Sequence, residues 1–213
     1  MADQIIAIQR IGMETLRVPI VGEAPLIVHK FGEKARRKML DIACGRKTPK
    51  EAKDPEAEYE AAFYRLDDGG YGFPVIAFKS ATVGAARFYG KSVSMTALRQ
   101  FVFFDGEFSK RDGQKLARIE GTPRMREDVV RLSSGGSELR YRPEFVEWST
   151  TLDVTYVRSM LTRESVLSLM EAGGLGVGVG EWRPEKRGDF GTYTIDMTRE
   201  IGVVDTGTGE VHS

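Results

Sequence analysis

Alternating apolar and polar positions predict the strands of this chain. Near the amino terminus Leu16, Val18 and Ile20 alternate with Arg17 and Pro19, and a period of two is typical of a strand with one buried face. Because proline cannot donate a backbone hydrogen bond, Pro19 predicts a position near a sheet edge or a bulge. The strongest strand pattern is EFVEWSTTLDVTYV, in which one face carries Trp148, Thr150, Leu152, Val154 and Tyr156.

Three segments instead show apolar residues three or four apart, as in helices. The first, GEKARRKMLDIACG, has an apolar face opposite a strongly basic face and ends at Gly45. The second begins near Phe78 and ends by Gly90, with small residues that allow close packing. The third begins after Thr162 as its N-cap, and Gly173 is the predicted exit.

The order of these elements is strand, helix, several strands, helix and strand. The helices are too few for a regular alternation with strands, so an antiparallel sheet with helices on one face is predicted. We predict an α+β fold with a ferredoxin-like (RRM-like) core. We also predict one domain over residues 1–205, with an inserted charged arm at about 45–72, and a flexible tail at residues 206–213.

Charge is balanced overall but uneven along the chain. The sequence has 31 basic and 31 acidic residues, so no global attraction to a polyanion is expected. Basic residues dominate from Lys30 to Lys53, and acidic residues dominate from Asp54 to Asp68. Neighbouring blocks of opposite charge are either a solvated arm or surfaces through which copies of one protein associate.

Candidate catalytic chemistry is sparse. The single cysteine, Cys44, cannot form an internal disulfide, and we expect a cytoplasmic protein without a signal peptide or a membrane partner. The two histidines are His29 and His212, and no nucleophile elbow, zinc-protease pair or paired metal-ligand spacing occurs. We therefore expect a protein that is not an enzyme and uses no metal or cofactor, with a hydrolase based on His29 as an alternative.

Glycines crowd the segment GGLGVGVGEWRPEKRGDFGTY. A dinucleotide-binding loop follows a strand and precedes a helix, whereas this segment follows a predicted helix and precedes a strand. A Walker loop is excluded because no Gly-Lys-Ser/Thr follows. The segment offers backbone without side chains, which can approach a ligand or a neighbouring chain closely. The glycines of this predicted loop are Gly174, Gly176, Gly178 and Gly180.

An indole and several cations follow the glycines. Aromatic rings that stack on bases, with cations that contact phosphates, are typical of sites for single-stranded nucleic acid. Alternatively the indole belongs to the core and the cations are solvated or paired with acids. The predicted nucleic-acid-binding residues are Lys34, Arg37, Lys38, Lys79, Arg126, Trp182, Arg183, Lys186 and Arg187.

Two family resemblances bear on this reading. FPVIAFKSATVGAAR and GGLGVGVGEWRPEKRGDFGTYTI resemble segments of the repeat-associated (RAMP) superfamily, which forms the backbones of CRISPR effector complexes. That resemblance implies a ferredoxin-like core, a glycine-rich loop after the last core helix and, in many members, polymerisation along single-stranded RNA. PLIVHKF, KDPEAEYEAAFYR, PRMREDVVR and GVGVGEWRPEK also resemble an uncharacterised family of tailed-bacteriophage proteins.

Together these observations predict a non-enzymatic phage protein in the host cytoplasm. It would bind single-stranded DNA or RNA and self-assemble into a homo-oligomer or filament. The alternative is a structural or assembly protein that self-associates through its opposite-charge surfaces without nucleic acid.

Overall fold

A computed structural model describes residues 10–46, 52–131, 135–204 and 211–212. The chain has an α+β fold of helices and antiparallel sheets. The helices are α1 (Glu33–Ala43), α2 (Pro55–Ala61), α3 (Val75–Gly84), α4 (Met95–Phe101) and α5 (Arg163–Gly176), with 3₁₀ helices η1 (Ala85–Ser92) and η2 (Pro184–Lys186). The strands are β1 (Met13–Gly22), β2 (Leu26–Ile27), β3 (Tyr64–Arg65), β4 (Tyr71–Pro74), β5 (Val102–Asp105), β6 (Glu107–Ser109), β7 (Gln114–Arg118), β8 (Pro123–Arg131), β9 (Ser137–Phe145), β10 (Ser149–Val157), β11 (Tyr193–Ile195), β12 (Gly202–Val204) and β13 (Val211–His212).

The main sheet has the order β13-β12-β1-β10-β5, and β11 also pairs with β1. Every neighbouring pair is antiparallel. The predicted face of β10 is confirmed, because its alternate residues are buried in the core opposite the buried residues of β1. The other face is half-exposed and carries the ion pair between Arg17 and Asp153 (2.7 Å).

Pro19 lies in the centre of the main sheet, so its predicted edge or bulge position is wrong. On one side β1 pairs with β10 along its length, and on the other β12 pairs up to Arg17 while β11 pairs from Ile20. The Pro19 carbonyl accepts from the Asp196 N–H in the gap between them (3.0 Å). Since the N–H and C=O of one strand residue point to the same side, the missing donor of Pro19 faces this gap.

The structure also contains two smaller sheets, with the orders β2-β9-β8 and β3-β4-β7-β6. The predicted arm at 45–72 belongs to this region, although residues 47–51 lie outside the described ranges. Its second part is packed into the fold, because Ala62, Phe63 and Leu66 are buried and β3 pairs with β4. Of the predicted tail, 206–210 and Ser213 lie outside the described residues, and β13 pairs with β12.

The basic helix α1 has the predicted bounds within one or two residues, but its apolar side is exposed. Met39 and Ile42 are 60% and 63% exposed, and Leu40 is exposed between them. Sequence periodicity correctly identified an amphipathic helix. In the described part of the chain the helix does not bury that apolar side.

Helices α3 and α5 pack closely because both present small residues. A Cβ at Gly173 would lie 2.7 Å from the Ala81 carbonyl carbon and 2.9 Å from the Thr82 nitrogen. Thr162 caps α5 as predicted, its hydroxyl accepting from the Ser165 N–H (3.2 Å). However, α5 continues beyond the predicted exit at Gly173 and ends at Gly176.

We expect Gly173→Ala to destabilise the protein by about 2 kcal/mol, because the added methyl overlaps backbone atoms that cannot rotate away. The higher helix propensity of alanine offsets only about 1 kcal/mol of the cost of that overlap. Urea unfolding measures the difference. Gly12→Ala is the control, because a Cβ there meets no atom within 4 Å. Equal stability of the two variants would contradict the proposed role of the close helix contact.

Candidate nucleic-acid interface

The glycine segment, defined here as Val177 to Gly180, is fixed against the rest of the chain. The Val179 N–H donates to the Gly191 carbonyl (2.9 Å), and the Glu181 N–H donates to the Ile27 carbonyl (3.0 Å). Gly178 and Gly180 have φ values of 70° and 79°, which favour glycine. The glycine segment is therefore held against Gly191, and the residue that follows it is bonded to β2.

All four predicted loop glycines face other parts of the same chain. A Cβ at Gly174 would lie 2.2 Å from the Tyr193 carbonyl oxygen, and one at Gly176 would lie 2.6 Å from the Phe88 ring. At Gly178 and Gly180 the nearest atoms belong to Pro184 (2.9 Å) and Ile27 (2.7 Å). The predicted loop placement of Gly174 and Gly176 is wrong, because both lie in α5. At all four glycines the close approach seen in the structure is to atoms of the same chain.

Trp182, predicted as an outward stacking surface, is half-buried and engaged within the molecule. The guanidinium carbons of Arg142 and Arg126 lie 4.6 and 5.3 Å from its ring centroid. Its ring centroid lies 6.0 Å from that of Phe190. Such cation–π contacts already occupy the indole. The backbone of Trp182 has a φ of 51°, which is uncommon for a residue with a side chain.

Arg126, which the sequence predicts to bind nucleic acid, belongs to an ion-pair network between β8 and β9. Its guanidinium donates to Asp128 (2.9 Å) and to Glu144 (2.7 Å). Arg142, 1% exposed, donates to Asp128 (2.6 Å) and lies 3.4 Å from Glu181. Burial acts to raise the pKa of Glu144, but hydrogen bonds from Arg124 and Arg126 outweigh it and hold that pKa below its usual value.

The predicted cations in and next to η2 differ in whether they form ion pairs. Arg183 donates to Glu185 (2.8 Å) and to the Gly180 carbonyl (3.0 Å). Lys186 and Arg187 are exposed, and among the described residues no carboxylate lies within 4 Å of their charged groups. These two remain available for phosphate.

The predicted cations of α1 and α3 do not join this group through any described contact. Arg37 is exposed on α1, whereas the side chains of Lys34 and Lys38 lie outside the described residues. Lys79 donates to the Arg99 carbonyl (3.0 Å), and its ammonium lies 5.0 Å from the Phe103 ring centroid. Lys79 therefore supports the contact between α3 and α4.

The structure adds two exposed aromatic residues from the segment in which the sequence predicts the second helix. In η1, Phe88 is 53% and Tyr89 is 41% exposed. The Phe88 ring packs on Gly176, and the Tyr89 hydroxyl donates to the Ser168 carbonyl (3.2 Å). The stretch RFYGK, in which two aromatic residues lie between cations, was the signal available in the sequence.

One ion pair joins η1, the element that carries these aromatic residues, to η2. Arg87 of η1 lies 3.4 Å from Glu185, which also holds Arg183. We call the combined region the η1–η2 surface. It consists of Arg87, Phe88, Tyr89, Lys91, Lys186 and Arg187.

Two further properties concern other kinds of site. Across the described ranges, no helix is both long and apolar enough to cross a bilayer. Searching the same ranges identifies no group of three or more His, Cys, Asp or Glu side chains arranged to hold a metal ion.

The structural comparisons support an α+β fold for this chain. A chain from the cryo-EM structure of the Type III-B Cmr-beta bound to cognate target RNA matches with a TM-score of 0.50 and 10% identity, over 91% of this chain. This chain spans 61% of the length of that one. Cmr6 from Pyrococcus furiosus matches with a TM-score of 0.45 and 9% identity, over 87% of this chain and 100% of Cmr6. No protein-family model and no curated protein matches the sequence.

We expect Glu144→Gln to lower the free energy of unfolding at pH 7 by about 1–3 kcal/mol, since two arginines lose an anionic partner. Because the pKa of Glu144 is lower in the folded state, its charge stabilises the protein above the unfolded pKa of about 4.3 and stops doing so as pH falls. The variant should therefore lose less stability between pH 6 and about pH 3. Glu147→Gln, at an exposed position, should behave like wild type in urea unfolding. If wild type and both variants lost the same stability on acidification, the stabilising role of the Glu144 charge would be contradicted.

Proposed function

We propose that this protein binds single-stranded RNA or DNA through the η1–η2 surface, without catalysing a reaction, and assembles into homo-oligomers on the strand. The observation that carries the proposal is the pair of exposed rings, Phe88 and Tyr89, in one surface with the exposed cations Lys186 and Arg187. Rings stack on bases of any sequence, and cations contact the phosphates between them. The resemblance to tailed-bacteriophage proteins suggests the cytoplasm of an infected host, which stays a prediction from the sequence.

The topology supports a ferredoxin-like (RRM-like) core, which we infer as the scaffold. The sheet order β12-β1-β10-β5 is antiparallel throughout. Along the chain α3 comes between β1 and β5, and α5 comes between β10 and β11. Both helices precede a strand of the same sheet, as in the β-α-β-β-α-β arrangement. That the similar Cmr-beta structure holds target RNA agrees with a nucleic-acid partner for this fold.

We expect Lys186→Ala combined with Arg187→Ala to weaken binding of a labelled single strand and to make it less sensitive to salt. Each phosphate contact on a single strand contributes about 0.7 to the slope of log affinity against log salt, so the slope should fall by about 1.4. Phe88→Ala should instead weaken binding about tenfold at every salt concentration, because stacking is worth about 1–3 kcal/mol per base. Fluorescence anisotropy from low to high salt measures both effects.

The matched control for the double variant is Lys110→Ala with Arg111→Ala. Lys110 and Arg111 are adjacent in the chain and lie between β6 and β7. Replacing both with alanine removes the same charge as the double variant does. Its affinity and salt slope should stay close to those of wild type. If both double variants weaken binding equally, general charge and not the η1–η2 surface controls the affinity.

Self-association without nucleic acid is a second candidate function, favoured by the exposed apolar side of α1. Met39, Leu40 and Ile42 lie together on a basic helix, and an uncovered apolar patch is typical of an association surface. Sedimentation velocity with and without oligonucleotide separates the two functions. An assembly protein forms oligomers alone, and Met39→Glu with Ile42→Glu dissociates them. Under the first proposal, oligomers require the strand.

A further inference from the structure

A groove of about 370 Å³ lies between α3 and the glycine segment. Ile76, Ala77 and Ser80 line it from α3, and Val177 to Gly180 line it from the glycine segment. Arg183 and Glu185 also line the groove, and Glu185 pairs with Arg87 of the η1–η2 surface (3.4 Å). The groove therefore adjoins the surface proposed to hold the strand.

The groove combines an apolar wall with unused polar groups, as small-molecule sites do. Ile76, a large aliphatic residue on α3, is 58% exposed. The side-chain amide of Gln114 makes no hydrogen bond with another described residue, and the Ser80 hydroxyl donates to the Ile76 carbonyl (2.8 Å) and keeps its acceptor capacity. A flat ring with polar edges can pack its face on the apolar wall and form hydrogen bonds with the polar groups.

The charge in the groove determines which part of a nucleotide can enter it. Glu181 lies 3.8 Å from His29 Nδ1 and 3.4 Å from Arg142 Nη1. Interaction with His29 and the charge of Arg142 hold the pKa of Glu181 below its usual value against the effect of burial. Glu181 is thus an anion at neutral pH, which repels phosphate and accepts hydrogen bonds from N–H groups.

We propose, on the basis of the proposed function, that the groove takes one unstacked nucleobase of the bound strand with its amino edge toward Glu181. The phosphates stay outside, at the cations of the η1–η2 surface. Adenine, cytosine and guanine carry an exocyclic amino group that can donate to the carboxylate. Uracil and thymine instead flank their single N–H with two carbonyl oxygens, which the carboxylate repels. The site consequently favours amino-bearing bases.

The test compares an eight-nucleotide oligouridine with the same strand carrying one internal cytidine, and repeats the comparison with deoxyuridine and deoxycytidine. Anisotropy titrations should show about tenfold tighter binding of the cytidine strand by wild type. Glu181→Gln should reduce this preference below about threefold, because the neutral amide can donate to uracil carbonyls. Thermal unfolding checks that the variant is folded.

Ser80→Trp fills the groove and provides a second variant, since Ser80 is exposed on α3. It should remove the cytidine preference while binding of the oligouridine remains. Ser165→Trp, at an exposed position in the first turn of α5, is the matched control and should keep the preference. If wild type binds both strands equally with a clear salt dependence, the nucleobase site is overturned and the strand-binding proposal stands. If wild type binds neither strand at low salt, both proposals are overturned.

Discussion

The contact between the α5 backbone and its neighbours is the constraint on which the candidate site depends. Gly173 lies against the backbone of Ala81 in α3, and Gly174 lies against Tyr193 in β11. At these two positions α5 therefore approaches α3 and the main sheet without a side chain of its own in between. The chain after α5 then reaches β2, where the Glu181 N–H donates to the Ile27 carbonyl. The groove and the cations of η2 follow directly from that path. Larger residues in α5 would displace both features together.

The strand faces of the core were predictable from the sequence because burial on one side of a sheet imposes a period of two. The position of Pro19 in the sheet was not predictable. The sequence shows that Pro19 lacks a backbone donor, but the gap between β12 and β11 that accommodates it exists only in the assembled sheet. The arm shows a similar limit. Its many charges predicted a solvated segment, whereas Phe63 and Leu66 are buried. Their burial depends on strands that are distant in the sequence.

The candidate site was predicted in part, for a comparable reason. An indole followed by arginines indicates cation–π contacts, but the sequence cannot say whether the ring meets a base or the protein's own guanidinium groups. Here Arg126 and Arg142 come from distant strands to stack on Trp182. Conversely, Phe88 matched a helical apolar period, and Tyr89 lay within the same predicted helix. Their exposure arises because α3 gives way to η1, in which Gly90 adopts a φ of 63°.

Neutral net charge is consistent with a strand-binding surface when the distribution of ion pairs is considered. The network around Arg142 and Asp128 engages acids and bases of β8 and β9 with each other, so their contribution to the long-range field is small. Under the proposed function, Lys186 and Arg187 act locally, in the same surface as the two exposed rings. Such a surface obtains a larger share of its binding energy from stacking than a strongly basic groove does, because stacking requires neither net charge nor counterion release. If the proposed function holds, charge balance implies few phosphate contacts per copy, and binding of successive copies along one strand would be the efficient way to reach high affinity.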